Sequence, residues 1–310
     1  MQTILGAGGA IGVELAKALS NYNKPIRLVG RKPKKVNEQD QLFVADLTDK
    51  AQLQKAVEGS EVVYLTVGFD YNTKVWQELW LPTIKNVVEA CETHQAKLVL
   101  FDNVYAIGGD GVKHITEQSQ INPSSKKGEV RAAVDRHILE HVEKGKLNAI
   151  IARSPDFFGP IKEKSILMNL VYDNLAKGKA AQWLGNSNVK HSTGYAPDLA
   201  KGTAILGNTA DAFNQVWNLP VDSHAPTGKE WVELFADAMN IKSKNVQTLP
   251  NWGLWALGLF IPFMKEMFEM KYQYDRDYFF DSSKFNQRFN YTPTSNKEAV
   301  KVTVAELSKP

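Results

Sequence analysis

Along the first half of the chain, short runs of apolar residues alternate with longer stretches in which apolar positions recur every three or four residues. Residues 2–5, 26–29, 42–45, 61–67, 97–101 and 148–152 form the short runs and read as buried strands. Residues 11–19, 50–57, 75–94 and 129–143 carry the longer period and read as helices. Strand followed by helix, repeated this often, specifies an α/β fold built on a doubly wound parallel sheet, because parallel neighbours need crossover connections. Past Arg153-Ser154-Pro155-Asp156-Phe157-Phe158-Gly159-Pro160 the alternation stops. The rest of the chain is helical, aromatic and irregular, with residues 215–219 alone reading as a further strand. The expected division is a sheet domain over residues 1–160, completed by the strand near 215–219, and a smaller region over 161–310.

Composition narrows the class. A chain of 310 residues with 43% apolar and 23% charged side chains has enough core for one large domain or two smaller ones, which excludes disordered and fibrous proteins. Thirty-seven Lys and Arg against 34 Asp and Glu leave a net charge of +3, too little for a sequence-independent grip on nucleic acid. The single cysteine, Cys91, cannot form an intrachain disulfide or a cysteine-rich zinc site, and it fits a reducing compartment, so a cytoplasmic location is expected. Met1 is followed by a glycine-rich turn at Gly6, so no secretory leader is expected. The longest apolar run, residues 252–264, contains Gly253, Gly258 and Pro262 and falls short of the roughly 20 residues of a spanning helix. No membrane span is expected; core packing, a dimer contact, an apolar lid and a membrane-surface helix stay open for this run. The six histidines show no metal-ligand spacing, and no metal is expected.

Gly6-Ala7-Gly8-Gly9-Ala10-Ile11-Gly12 follows the first strand and opens the first helix. Glycines there permit a tight turn, backbone approach to a pyrophosphate and close helix packing, while uncapped N–H groups and the helix dipole attract phosphate. This predicts a dinucleotide site. A carboxylate at the end of the second strand would bond the adenosine ribose of NAD, but the chain has Val29-Gly30-Arg31-Lys32 with Lys34 and Lys35 nearby. Arg31 as a clamp on a 2′-phosphate makes NADP the preferred cofactor and NAD the alternative, against a simple solvated basic loop. Asp46, in Ala45-Asp46-Leu47-Thr48, reads either as a partner of the adenine amino group or as an ordinary N-cap.

Gly6-x-x-Gly9-x-x-Gly12, the Asp46-Leu47 pair, Arg153 to Pro160, Tyr195-Ala196-Pro197-Asp198-Leu199-Ala200 and the late Phe280-Asp281-Ser282-Ser283-Lys284-Phe285 and Pro293-Thr294 features together resemble the extended short-chain dehydrogenase/reductase family of nucleotide-sugar epimerases and dehydratases. The resemblance implies a Rossmann domain, a small C-terminal substrate domain, a small-molecule substrate and, often in that family, a homodimer through a helix bundle. It also implies a Ser or Thr after the fifth strand and a Tyr-x-x-x-Lys on the next helix. This chain departs there: Asn103 stands at the Ser position, and Lys127-Gly128-Glu129-Val130-Arg131 replaces the Tyr-x-x-x-Lys, with Pro123 and Asp135 supporting the register.

Arg131 keeps a positive charge one helical turn after Lys127, and could still donate to ribose hydroxyls. Lys127 is a candidate proton donor or acceptor, since Arg131 and an oxidised nicotinamide would disfavour its charged form; its alternative is a solvated lysine beside Lys126. Tyr105 is the rival proton-transfer group, sharing a face with Asn103 if the strand continues, or else a packing residue. Pro155 and Phe157 are expected along the nicotinamide, and Asp156 is either a substrate contact or a turn-stabilising side chain. Glu269, Tyr272 and Gln273 stand at helical spacing and could enter a substrate pocket, or form a solvated helix face. The functional expectation is an NAD(P)-dependent oxidoreductase of the epimerase/dehydratase type. The alternative is a non-catalytic NADPH-binding sensor or assembly subunit.

Overall fold

The computed structural model of the chain describes residues 1–161 and 165–309, which cluster into two compact units. Unit 1 comprises Met1–Ala106, Lys127–Ser154 and Leu199–Leu219. Its elements are β1 (Gln2–Leu5), α1 (Ala10–Leu19), β2 (Ile26–Gly30), β3 (Gln41–Val44), α2 (Lys50–Val57), β4 (Val62–Leu65), α3 (Thr73–Thr93), β5 (Lys97–Asn103), α4 (Lys126–Glu143), β6 (Ala149–Ser154) and β10 (Gln215–Asn218). The seven strands form one sheet in the order β10-β6-β5-β4-β1-β2-β3, and each neighbouring pair is parallel.

Strands β1, β4 and β6 are buried along their whole length, as expected of central parallel strands covered on both faces. Even the polar residues of β1 are paired: Tyr64 Oη donates to Gln2 Oε1 at 2.7 Å, and Thr3 Oγ1 lies 2.7 Å from Ser60 Oγ. β3 differs from the expectation of a buried run. It is the sheet's edge, and Leu42 and Val44 are 45% and 71% exposed.

Unit 2 comprises Ile107–Lys126, Pro155–Asp198 and Pro220–Pro310. It holds two small parallel pairs, β7 (Phe157–Phe158) with β9 (Gly194–Tyr195), and β8 (Ala181–Leu184) with β11 (Val246–Leu249). The sequence pattern anticipated none of these four strands. The helices are α5 (Asp173–Ala176), α7 (Gly228–Ala238), α8 (Asn251–Gly258), α9 (Pro262–Glu269), α10 (Ser283–Phe289) and α11 (Asn296–Leu307), while α6 (Ala196–Gly207) passes into unit 1 at Leu199. A reciprocal cap between Thr227 and Glu230 starts α7 and orients its face, so that Trp231, Val232 and Phe235 enter a core with Phe158, Trp183 and Val300. Gly228 is required there, because an added Cβ would lie 2.4 Å from the Trp183 ring. The run 252–264 covers most of α8, the connector after it and the start of α9; Leu254 is buried, whereas Trp252, Trp255 and Leu257 of α8 and Leu259, Phe260 and Ile261 of the connector are exposed.

Candidate active site

The glycine turn sits at the carboxyl end of β1, where open α/β sheets hold ligands. Gly6 has φ +92°, and a Cβ on it would meet the Val67 backbone at 2.6 Å. A Cβ on Gly12 would lie 2.7 Å from Gly6 O and 2.8 Å from Ala7 Cα, so this residue brings α1 against the turn. Gly8 is exposed and its Cβ direction is open. Gly9 is the N-cap of α1 and has no side chain to satisfy the first-turn N–H groups at Ala10 and Ile11. Turn, close approach and uncapped donors are what a pyrophosphate needs.

Arg31 is exposed directly after β2. Its charge lowers the Asp46 carboxyl slightly, after the larger effect of hydrogen bonds from the Thr48 N–H and hydroxyl. Asp46 is therefore no N-cap: Asp49 caps α2 by accepting from Gln52 N at 3.0 Å, and Asp46 braces the turn before it, with Leu47 buried beside it.

Helix α4 buries a charged stripe. Lys127, Arg131 and Asp135 stand four residues apart on one face, and each is essentially removed from solvent. Lys127 is thus not the solvated lysine of the alternative reading; its neighbour Lys126 is the exposed one. Lys127 Nζ donates to Thr73 Oγ1 at 3.0 Å and lies 4.7 Å from the centre of the Tyr71 ring. Asn72 makes that meeting possible: its carboxamide oxygen accepts from Lys74 N and Val75 N, which starts α3 at Thr73. Arg131 forms a buried ion pair with Asp102 and lies 4.0 Å over Trp80. Arg131 is sealed from solvent in this way, and its Nε and Nη1 have no hydrogen-bond partner among the described residues. Asp135 lies 3.5 Å from Arg153, and burial, aided by the Asp102 charge, pushes its carboxyl well above the usual carboxylate range.

The expected face shared by Asn103 and Tyr105 does not form, because β5 ends at Asn103. Asn103 Oδ1 accepts the Tyr105 N–H at 2.9 Å, an Asx turn that redirects the chain. Tyr105 instead stacks on Trp76 with centroids 5.9 Å apart, and its phenol oxygen is 3.5 Å from that of Tyr71. Tyr71, Thr73, Trp76 and Trp80 escaped the sequence reading, although two tryptophans at i, i+4 on a helix were a visible signal of one continuous face.

Unit 2 gathers a second polar group. Pro155 is buried and Phe157 half-buried at β7, and between them Asp156 Oδ2 accepts the Tyr274 hydroxyl at 2.8 Å. His191 Nε2 is 3.1 Å from the same oxygen, while its Nδ1 is 3.2 Å from Gln273 O. Both ring nitrogens face oxygens, which fixes the plane of the imidazole. His191 is stacked between Tyr274 and Tyr278, at 4.8 and 4.6 Å. The partners of Asp156 are far along the chain, which replaces the local-turn reading. Ile166, Leu167, Leu170, Trp183, Leu184 and Thr193 complete a small cavity over this group.

Glu269, Tyr272 and Gln273 do not share one helix, since α9 stops at Glu269 and a 3-10 turn covers Lys271–Gln273. Tyr272 and Gln273 are nevertheless buried. Burial pushes the Tyr272 phenol up, and the charges of Glu269 and Asp156 add to it. Gln273 Nε2 has no hydrogen-bond partner among the described residues. Among the described residues no cluster of His, Cys, Asp and Glu could hold a metal ion.

The sequence profile described as “NAD dependent epimerase/dehydratase family” matches residues 3–219. Short-chain dehydrogenase/reductase family 42E member 1 of Danio rerio is 27% identical over 121 residues, which cover 36% of this chain and 31% of that protein. The chain thus spans about a third of the length of the curated relative it matches. Among solved structures, UDP-glucose 4-epimerase of Thermus thermophilus, in complex with NAD, superposes with a TM-score of 0.75 at 16% identity, over 99% of both chains. UDP-N-acetylglucosamine 4-epimerase from Bacillus cereus gives 0.78 at 16% identity, again over 99% of both. At these identities the likeness is one of fold.

Proposed function

The chain belongs to the NAD dependent epimerase/dehydratase family, and from that premise we propose an NADP-preferring redox enzyme for a small organic substrate, with the Tyr71–Tyr105 phenol pair as its proton-transfer group. The observation that carries this reading is the buried Lys127 ammonium held 4.7 Å from the Tyr71 ring, with the Tyr105 phenol 3.5 Å from that of Tyr71. A cation in a low-dielectric position stabilises a phenolate as it forms, which suits a phenol that gives up and regains a proton. Lys127 is sealed from solvent, so it acts through the phenols and is a positioning residue. Asn103 supports them by fixing the turn at Tyr105.

The turn from Gly6 to Gly12 fits a dinucleotide, since its open Gly8 and uncapped α1 offer space and donors to the pyrophosphate. Arg31 is available for the adenosine 2′-phosphate, and Asp46 with Leu47 for the adenine. When bound, the nicotinamide supplies hydride exchange with a substrate carbon. Pro155 and Phe157 flank the ring in this reading, and Asp156, Glu269, Tyr272 and Gln273 recognise the substrate. Among the described residues the Asp156 cavity has no lysine or arginine in its lining, and its carboxylate opposes a second pyrophosphate.

Titration with NADPH and NADH, followed by turnover on a panel of small aldehydes and ketones, tests the proposal. Tighter NADPH binding is expected, with Tyr71→Phe and Tyr105→Phe losing turnover by about 10²-fold or more at unchanged cofactor affinity. Lys127→Met should shift the pH–rate profile to alkaline values. Wild-type rates in both phenylalanine variants would remove the phenol pair, and failure to bind either nucleotide would overturn the whole reading.

A further inference from the structure

Residues 245–264 contain no charged side chain, and Lys242, Lys244 and Lys265 flank the stretch. Within it α8 and α9 pack as a hairpin whose inner side buries Leu254, Met267 and Met270. Gly258 lets the two helices approach, since a Cβ there would already lie 3.1 Å from Lys265 Cα. The outer side is different in kind: Trp252 is 75% exposed, Trp255 54%, Leu259 63% and Phe260 85%, with Leu257 and Ile261 exposed beside them. A contiguous apolar surface of this composition marks a contact rather than chance exposure.

We propose that the outer face of α8 and of the connector that joins it to α9 docks on the surface of a bilayer that contains acidic lipids. A protein partner would ordinarily meet a polar rim and exchange about ten hydrogen bonds across the interface. Here the only hydrogen-bonding side-chain groups on the six outward residues are the two indole N–H groups. Indole rings with one polar edge are suited to the headgroup level, and Leu, Phe and Ile to the acyl boundary beneath it. Lysines at both ends of the uncharged stretch complement acidic headgroups; Lys244 also pairs with Asp237 at 2.8 Å. No helix among the described residues is long and apolar enough to cross a membrane, so the contact lies in the interface plane.

Co-sedimentation of the full chain with vesicles tests this. Phosphatidylcholine vesicles carrying phosphatidylglycerol should pull down the protein, and phosphatidylcholine alone should do so less well. A Trp255→Ser, Phe260→Ser double variant should bind about tenfold less or worse at unchanged circular dichroism and Tm, because both side chains are solvent-exposed. Lys242→Glu with Lys265→Glu should abolish the preference for the acidic lipid. Absence of binding to either vesicle, or equal binding by the serine variant, overturns the proposal. So does a wild-type dimer in size-exclusion chromatography that the serine variant converts to monomer, since a second copy would then cover the face.

Discussion

An ammonium or guanidinium taken out of water loses several kcal/mol of hydration, and partners must return most of it. Lys127 recovers part through the Thr73 hydroxyl and the Tyr71 ring, Arg131 through Asp102 and Trp80, and Arg153 through Asp135. Three cations and two carboxylates thus share this buried group, and Asp135 is the carboxyl that burial drives toward its protonated form. Its raised value sets the sign of a pH effect. Between the ordinary carboxylate value near pH 4 and the raised native one, the folded state binds the extra proton, so stability is complete below that window and falls as pH rises through it. Asp135→Asn mimics the protonated form and should flatten this dependence. The wild type should lose up to about 1.4 kcal/mol per pH unit relative to the variant within the window. Thermal denaturation of both proteins across pH checks it, and a wild type that gains on the variant with rising pH would contradict the assignment.

At the scale of the element, the glycine turn depends on α1 standing against it. Gly12→Ala places a methyl 2.7 Å from Gly6 O and 2.8 Å from Ala7 Cα, both backbone atoms that cannot step aside cheaply. The turn must open or α1 must shift, and either outcome disperses the N–H groups. Loss of roughly 1–3 kcal/mol of stability is expected, together with loss of dinucleotide binding, read by denaturant melts and NADPH titration. An alanine variant that binds NADPH normally would show that the close approach is dispensable. This turn was legible in the sequence because glycine spacing encodes backbone geometry directly. So were β1, β4 and β6, where burial on both faces leaves an apolar run. The pair β8 and β11 was not, since its partners lie some sixty residues apart and neither strand makes a long alternating run. β3 misled for the opposite reason: its apolar side chains occupy an edge. Lys127 was legible by register, whereas the turn that carries Tyr105, the placement of Tyr71 in unit 1 and that of His191 and Tyr274 in unit 2 depend on where loops return, which no local spacing records.

Taken whole, the chain carries one thiol, and it is deeply placed. Cys91 lies on α3 with no exposed surface, and burial pushes its thiol far above the ordinary range. Thiolate chemistry should therefore be suppressed in the native protein. A disulfide-exchange reagent is expected to label Cys91 only as unit 1 opens, so the labelling rate should follow unfolding across a denaturant series. Fast labelling under native conditions would mean that α3 leaves the sheet far more readily than its packing indicates. The buried stripe on α4 has a comparable reach. Successive residues of a helix are turned by about 100°, so a slip of one position would withdraw Lys127, Arg131 and Asp135 from all their partners in the same movement. An apolar helix can roll by small amounts and trade one contact for another. This one has a single rotational setting, and its three buried polar side chains act as a combination lock on how the helix meets the sheet.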